Sequence, residues 1–94
     1  MTTEPRKAHK KDVVTRGCKP VNGAHYVLWR QGGDFGVDIV KRVDEPMYLT
    51  EEQVGWPREL RPGDYLVWRG GLSRLDCFPA PMPKWYTILD VPHD

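Results

Sequence analysis

The side chains with reactive chemistry are few and far apart in this chain. Cys77 could act as a nucleophile with His25 or His93 as its base, and Ser73 stands three residues before Asp76. An enzyme needs a nucleophile or an acid–base pair that the fold brings together. Neither pair lies in a motif such as Gly-x-Ser-x-Gly, and no glycine loop followed by Lys is present to cradle a phosphate. We therefore predict a protein that is not an enzyme and that has no cofactor.

The residue types of the sequence also include those that bind zinc. Thiolates and imidazoles are the ligands that zinc prefers, so Cys18, His25, Cys77 and His93 form a conceivable set. No two of them have the short spacing that is typical of structural zinc sites. We predict no metal site, and we expect both cysteines to be free thiols in a reducing cytoplasm.

The chain carries a repeated motif that is better suited to binding than to catalysis. Residues 26–33 read Tyr-Val-Leu-Trp-Arg-Gln-Gly-Gly, and residues 65–71 read Tyr-Leu-Val-Trp-Arg-Gly-Gly. Branched and aromatic residues favour strands, and a glycine pair favours the positive φ of a tight turn. Each copy therefore predicts a β-strand that enters a hairpin turn with a Trp-Arg pair at its end.

The alternation of side chains along a strand predicts which residues of the repeat bind. We expect Trp29 and Trp68 to be buried at equivalent positions of the two hairpins. The contact surface is then formed by the side chains on the other faces, Tyr26, Arg30, Tyr65 and Arg69. Tyrosine and arginine are suited to stacking, to pairing with anions and to interface hot spots. Tyr48, in the acidic loop 44–52, is a further candidate. The alternative is that the aromatic side chains all pack inward and both arginines are solvated.

Short strands joined by glycine and proline turns must position these residues. The predicted strands span residues 25–30, 35–43, 47–49, 65–69, 72–78 and 85–91, and Thr50 with Gln53 resembles the start of a short helix. No helical pattern of 10–15 residues separates the strands, as a parallel sheet would require. We predict a mainly β protein: a small antiparallel β-barrel or rolled sheet of SH3-like size, with five to six strands and at most one short helix.

Length and charge divide the 94 residues into a basic arm and one domain. Residues 1–20 hold six basic and two acidic side chains, whereas residues 21–94 hold eight basic and eleven acidic ones. We predict that residues 1–12 are a disordered basic arm and that residues 13–94 form a single β-rich domain. The arm could contact nucleic acid through Arg6, Lys7, Lys10 and Lys11. No apolar run is long enough to span a membrane, so we expect no membrane partner.

The stretch from Leu60 to Val91 resembles a group of small phage and prophage proteins. Their C-terminal signature is a Pro-Gly-Asp-aromatic strand, a glycine turn, a short strand that ends near Cys and Pro, and a last aromatic strand. The matching residues here are Pro62-Gly63-Asp64-Tyr65, then Gly70-Gly71, then Cys77 with Pro79, then Trp85-Tyr86. The prolines in residues 79–83 depart from that pattern. The resemblance implies a viral origin, and it implies no chemical activity.

These observations together favour a binding function. We expect a non-enzymatic viral accessory protein that acts in the cytoplasm of a bacterial host and engages a host protein, for example by inhibiting a defence or regulatory system. Two alternatives remain open. One is a small β-barrel that binds nucleic acid, and the other is a protein that sequesters a small anionic ligand such as a nucleotide.

Overall fold

The computed structural model describes residues 5–15, 17, 19–70 and 74–89. The protein is mainly β, as predicted, and its sheets are rolled rather than closed into a barrel. The described residues form eight strands, which are β1 (Arg6–Lys7), β2 (Ala24–Gln31), β3 (Asp34–Arg42), β4 (Met47–Leu49), β5 (Arg58–Leu60), β6 (Tyr65–Arg69), β7 (Arg74–Phe78) and β8 (Tyr86–Leu89). They also form the short helix α1 (Glu51–Val54) and a 3₁₀ turn (Lys10–Asp12).

The larger sheet has five antiparallel strands in the order β7-β6-β3-β2-β8. A two-residue turn at Gly32 and Gly33 joins β2 to β3, with a positive φ of 62° at Gly32. Because β7 and β8 lie at opposite edges, the chain between them must cross the sheet. We call residues 79–85, which make this connection, the crossing segment.

The smaller sheet contains β1, β4 and β5, and it incorporates part of the predicted arm. β1 pairs in parallel with β4, and Ala8 is fully buried. Arg6 forms ion pairs of 2.8 Å with Asp12 and 2.9 Å with Glu45. Residues 5–12 therefore differ from the disordered arm that their polarity predicts, because backbone pairing and ion pairs hold them on the body. Residues 1–4 lie outside the described residues.

The five-stranded sheet has two differently covered faces. The face toward the smaller sheet, which we call the core face, carries the main apolar cluster, including Ile39, Leu66 and Leu75. The opposite face, which we call the aromatic face, carries a smaller cluster built on Val27, Val40, Val67 and Tyr86, with Met82 of the crossing segment packed against it.

The two repeated tryptophans lie on opposite faces of this sheet, which corrects the prediction of equivalent positions. Both are half-buried, Trp68 on the core face and Trp29 on the aromatic face. The reason is the register. β3 lies between the two copies, and it pairs Trp29 with Gly36 but Trp68 with Ile39. Gly36 and Ile39 are three residues apart, so they face opposite sides of β3, and the tryptophans paired with them do so too. The repeat in sequence therefore does not become a repeat in space.

The local turn chemistry of the sequence is found where it was expected. At the Pro-Gly-Asp turn, Gly63 has a φ of 101°, and the Arg61 backbone N–H donates to Asp64 Oδ2 over 2.9 Å. At the start of α1, the Thr50 backbone N–H donates to Gln53 Oε1 over 3.0 Å. These bonds fix the loops that lead into β5 and β6, and so help to set the register of the sheet.

Candidate functional site

The end of the β2–β3 hairpin extends past the neighbouring strands. β6 pairs with residues 39–42 of β3, and β8 pairs with residues 26–29 of β2. Among the described residues, β6 does not reach beyond Ile39 and β8 does not reach beyond Trp29, so residues 30–35 at the end of the hairpin form a two-stranded ribbon. Such a ribbon can approach a partner closely, since its turn is formed by two glycines.

One face of this ribbon, together with the strand residues next to it, is apolar and exposed. Cross-strand pairing places Leu28 opposite Val37 and Arg30 opposite Phe35, all on the core face. Phe35 is 73% exposed and Val37 is 48% exposed. Arg30 is exposed and forms no hydrogen bond or ion pair within the described part of the chain. We call Leu28, Arg30, Phe35 and Val37 the hairpin patch.

The other face of the ribbon is held by a tryptophan. The Trp29 indole lies against Gly36, so closely that a Cβ added to Gly36 would be 2.6 Å from the ring. Aromatic–glycine contacts across a strand pair compensate for the missing glycine side chain. The packing of Trp29 on Gly36 therefore stabilises the ribbon that presents the hairpin patch.

A partly buried ionic cluster lies at the base of the ribbon on the aromatic face. The Tyr86 hydroxyl donates to Asp38 Oδ2 over 2.6 Å, and Arg69 Nη1 donates to the same oxygen over 3.2 Å. Arg69 Nε also donates to Asp76 over 3.0 Å, and the guanidinium lies 5.7 Å from the centre of the Phe78 ring. This cluster joins β3, β6, β7 and β8.

The cluster fixes the protonation state of Tyr86. Burial, together with the hydrogen bond to the Asp38 carboxylate, raises the pKa of Tyr86 far above its ordinary value. A phenol with a raised pKa stays neutral and donates its proton to the carboxylate. Tyr86 is therefore suited to bracing Asp38, and it is a poor candidate for a nucleophile or a base.

The residues that the sequence predicts as one contact surface do not lie together. Arg30 is exposed on the core face, whereas Arg69 is held by two carboxylates on the aromatic face. Tyr26 is half-buried against the core-face cluster, and Tyr65 is half-buried on the aromatic face. Tyr48 is 37% exposed on β4. Of the repeated Tyr-Arg pairs, only the first places its Arg on an exposed face.

The basic residues of the predicted arm are divided between ion pairs and solvent. The hydrogen bonds from Arg6 to Asp12 and Glu45 raise the pKa of Arg6, so this cation is stabilised and its charge is matched. Lys7, Lys10 and Lys11 are exposed. A phosphate contact through these lysines stays a prediction.

The groups considered for catalysis and for zinc are not brought together in the described residues. Cys77 is buried on the core face, where burial raises the pKa of its thiol, and His25 is exposed on the aromatic face. Cys18, Ser73 and His93 lie outside the described residues. Within the part that is described, no three His, Cys, Asp or Glu side chains form a group that could hold a metal ion.

Among the described residues, no helix has the length and apolarity needed to cross a membrane.

Phe35, Val37 and Leu28 were not predicted as binding residues. The alternation of Phe35, Val37 and Ile39 does predict an apolar face on this strand, and the structure has that face. The sequence could not show that the smaller sheet covers Ile39, which is 5% exposed, and leaves Phe35 open. Exposure on a predicted apolar face is thus decided by tertiary packing.

Comparisons of this chain with protein-family models, with curated proteins and with solved structures found no match.

Proposed function

We propose that this protein is a non-enzymatic binding module of viral origin that engages a protein of its bacterial host through the hairpin patch. The observation that carries the proposal is the pairing of Phe35, 73% exposed, with an exposed Arg30 on a ribbon that Trp29 supports. Exposed apolar groups beside an unpaired Arg have the composition of an interface hot spot. The resemblance of residues 60–91 to phage proteins supports the viral origin.

The chemistry of the patch defines the partner surface. The partner should have an apolar depression that receives Leu28, Phe35 and Val37. A carboxylate of the partner beside that depression should pair with Arg30. A stiff ribbon loses little conformational entropy on binding, which favours affinity. Binding of this kind would occlude a surface of a host defence or regulatory protein in the cytoplasm, and it needs no catalytic group on this chain.

A protein partner is favoured over nucleic acid by the charges. The patch holds one cation, and Arg6 of the basic segment is matched by Asp12 and Glu45. Binding to a nucleic-acid backbone requires several unmatched cations along one surface. The nucleic-acid alternative therefore depends on Lys7, Lys10 and Lys11, and salt-titrated binding to DNA and RNA tests it. Affinity that falls steeply with salt and is lost on Lys10→Ala/Lys11→Ala would favour that alternative.

The proposal is tested by capture from a bacterial lysate with three tagged baits, which are the wild type, Phe35→Ser and Trp56→Ser. Trp56 is a matched control because it is 60% exposed and lies outside the patch. We expect quantitative mass spectrometry to find a protein held by the wild type and by Trp56→Ser but lost with Phe35→Ser. Equal capture of every protein by Phe35→Ser and by the wild type would contradict the proposal.

A further inference from the structure

A hollow lies on the aromatic face, on the side of the sheet opposite to the hairpin patch. Its volume is about 180 Å³, and it opens between the sheet and the crossing segment. Val27 and Val40 line it, and both are almost fully buried, at 0% and 3% exposure. Met82 of the crossing segment and Ile88 of β8 also line it, and Ile88 is 50% exposed. The interior of the hollow is therefore apolar and remains open to an incoming group.

Polar groups that line the hollow give it a positive character. Arg42 and Tyr65 are directly opposite each other on β3 and β6, and His25 is opposite Val40. Arg42 forms no hydrogen bond or ion pair among the described residues. Of the residues that the structure describes, no Asp or Glu lines the hollow. An unmatched guanidinium beside an apolar hollow favours a ligand with the opposite arrangement, an anion attached to an apolar body.

We propose that this hollow binds a small amphipathic carboxylate. The apolar part of the ligand packs on Val27 and Val40, and its carboxylate accepts hydrogen bonds from the Arg42 guanidinium. Carboxylates are favoured among anions because their two oxygens match the paired N–H groups of Arg. Tyr65, which is opposite Arg42 and lines the hollow, can donate a further bond from its hydroxyl. This site is separate from the hairpin patch, so its occupancy does not depend on the function proposed above.

Three probe molecules separate the parts of this inference. Sodium 3-phenylpropionate has both the apolar body and the carboxylate, 3-phenylpropanamide has the same body without the charge, and inorganic phosphate has charge without the body. We expect saturable shifts of the Val27, Val40, Met82 and Ile88 methyl resonances in NMR titrations with 3-phenylpropionate. The amide should bind at least about tenfold more weakly, since an ionic hydrogen bond contributes roughly 1.5–3 kcal/mol, and phosphate should not shift these methyl groups.

Two pairs of variants assign the contacts. Arg42→Ala should weaken binding of 3-phenylpropionate about tenfold, whereas Arg61→Ala, which removes an exposed Arg outside the hollow, should bind like the wild type. Ile88→Trp should fill the hollow and abolish binding, whereas Thr87→Trp places the same bulk on the other face of β8 and should not. The melting curve of each variant gives its folded fraction, and the affinities of the variants are compared at the same folded fraction.

Several results would overturn the inference. The absence of saturable methyl shifts with 3-phenylpropionate would show that the hollow is not a site for this class. Equal affinity of the acid and the amide, or an unchanged affinity in Arg42→Ala, would remove the role of the carboxylate. Equal binding of phosphate at the same methyl groups would replace an amphipathic site by a general anion site.

Discussion

The two copies of the Tyr-Trp-Arg-Gly repeat are used differently by the fold. In the second copy, Arg69 is held by Asp38 and Asp76, and Trp68 packs on the main apolar cluster. In the first copy, Arg30 is exposed without a partner among the described residues, and Trp29 covers a glycine. The second copy therefore holds the sheet together, whereas the first presents a surface. Register and neighbouring residues, rather than the motif itself, thus decide whether an arginine of this repeat forms ion pairs or is exposed.

The largest effect on stability is expected at the cluster that holds the second copy. Asp38→Ala removes the carboxylate that accepts from both Arg69 and Tyr86. Losing one partner of a buried ion pair costs roughly 3–5 kcal/mol. We expect urea unfolding to show a loss of about 3 kcal/mol in the free energy of unfolding. The loss is at the lower end of that range because Arg69 is partly exposed and keeps its ion pair with Asp76. A loss below about 1 kcal/mol, the range of exposed ion pairs, would show that the cluster is not structural.

The next effect tests whether Trp29 stiffens the first copy through Gly36. Gly36→Ala places a methyl group against the indole, and overpacking of this kind costs about 1–3 kcal/mol. In a Trp29→Ala background the same change should cost little, since the obstructing ring is gone. A double-mutant cycle measures this coupling. Additive effects of the two substitutions would contradict the packing of Trp29 on Gly36.

A pH titration of stability probes the same cluster without altering Asp38. The pKa of Tyr86 is raised above its ordinary value of 10.0, so above pH 10 the unfolded chain releases a proton that the folded protein keeps. The stability from this group is fully present below pH 10 and falls above it, by up to about 1.4 kcal/mol per pH unit. Tyr86→Phe should flatten this slope. Equal slopes in the wild type and in Tyr86→Phe would contradict the raised pKa.

The sequence was sufficient for the local parts of this fold. The glycine turn of the β2–β3 hairpin, the Pro-Gly-Asp turn before β6 and the Thr50 start of α1 depend on residues close in sequence, and all three are present. The pairing of Arg6–Lys7 with β4 could not be predicted, because its partners are about forty residues away and its composition is that of a solvated segment.

The candidate site was predictable in part for the same reason. Alternation correctly places Tyr26, Leu28 and Arg30 on one face of β2. It could not place Arg69, whose partner Asp38 lies 31 residues earlier, nor show that the two tryptophans face opposite ways. Burial of Asp38 likewise depends on Tyr86, 48 residues later. The difference between the exposed Arg30 of the first copy and the ion-paired Arg69 of the second depends on long-range pairing, which no local pattern encodes.

The smallest effect on stability is expected at Arg30, and its substitution tests binding through the hairpin patch. An exposed charge without a partner contributes about 0–1 kcal/mol to folding, whereas at a buried interface an Arg can contribute about 2 kcal/mol or more. We predict that Arg30→Ala leaves the melting temperature nearly unchanged. Calorimetry with the protein captured by the wild-type bait should show its affinity weakened at least about tenfold. Binding by Arg30→Ala with the wild-type Kd would contradict the hairpin patch as the site of contact.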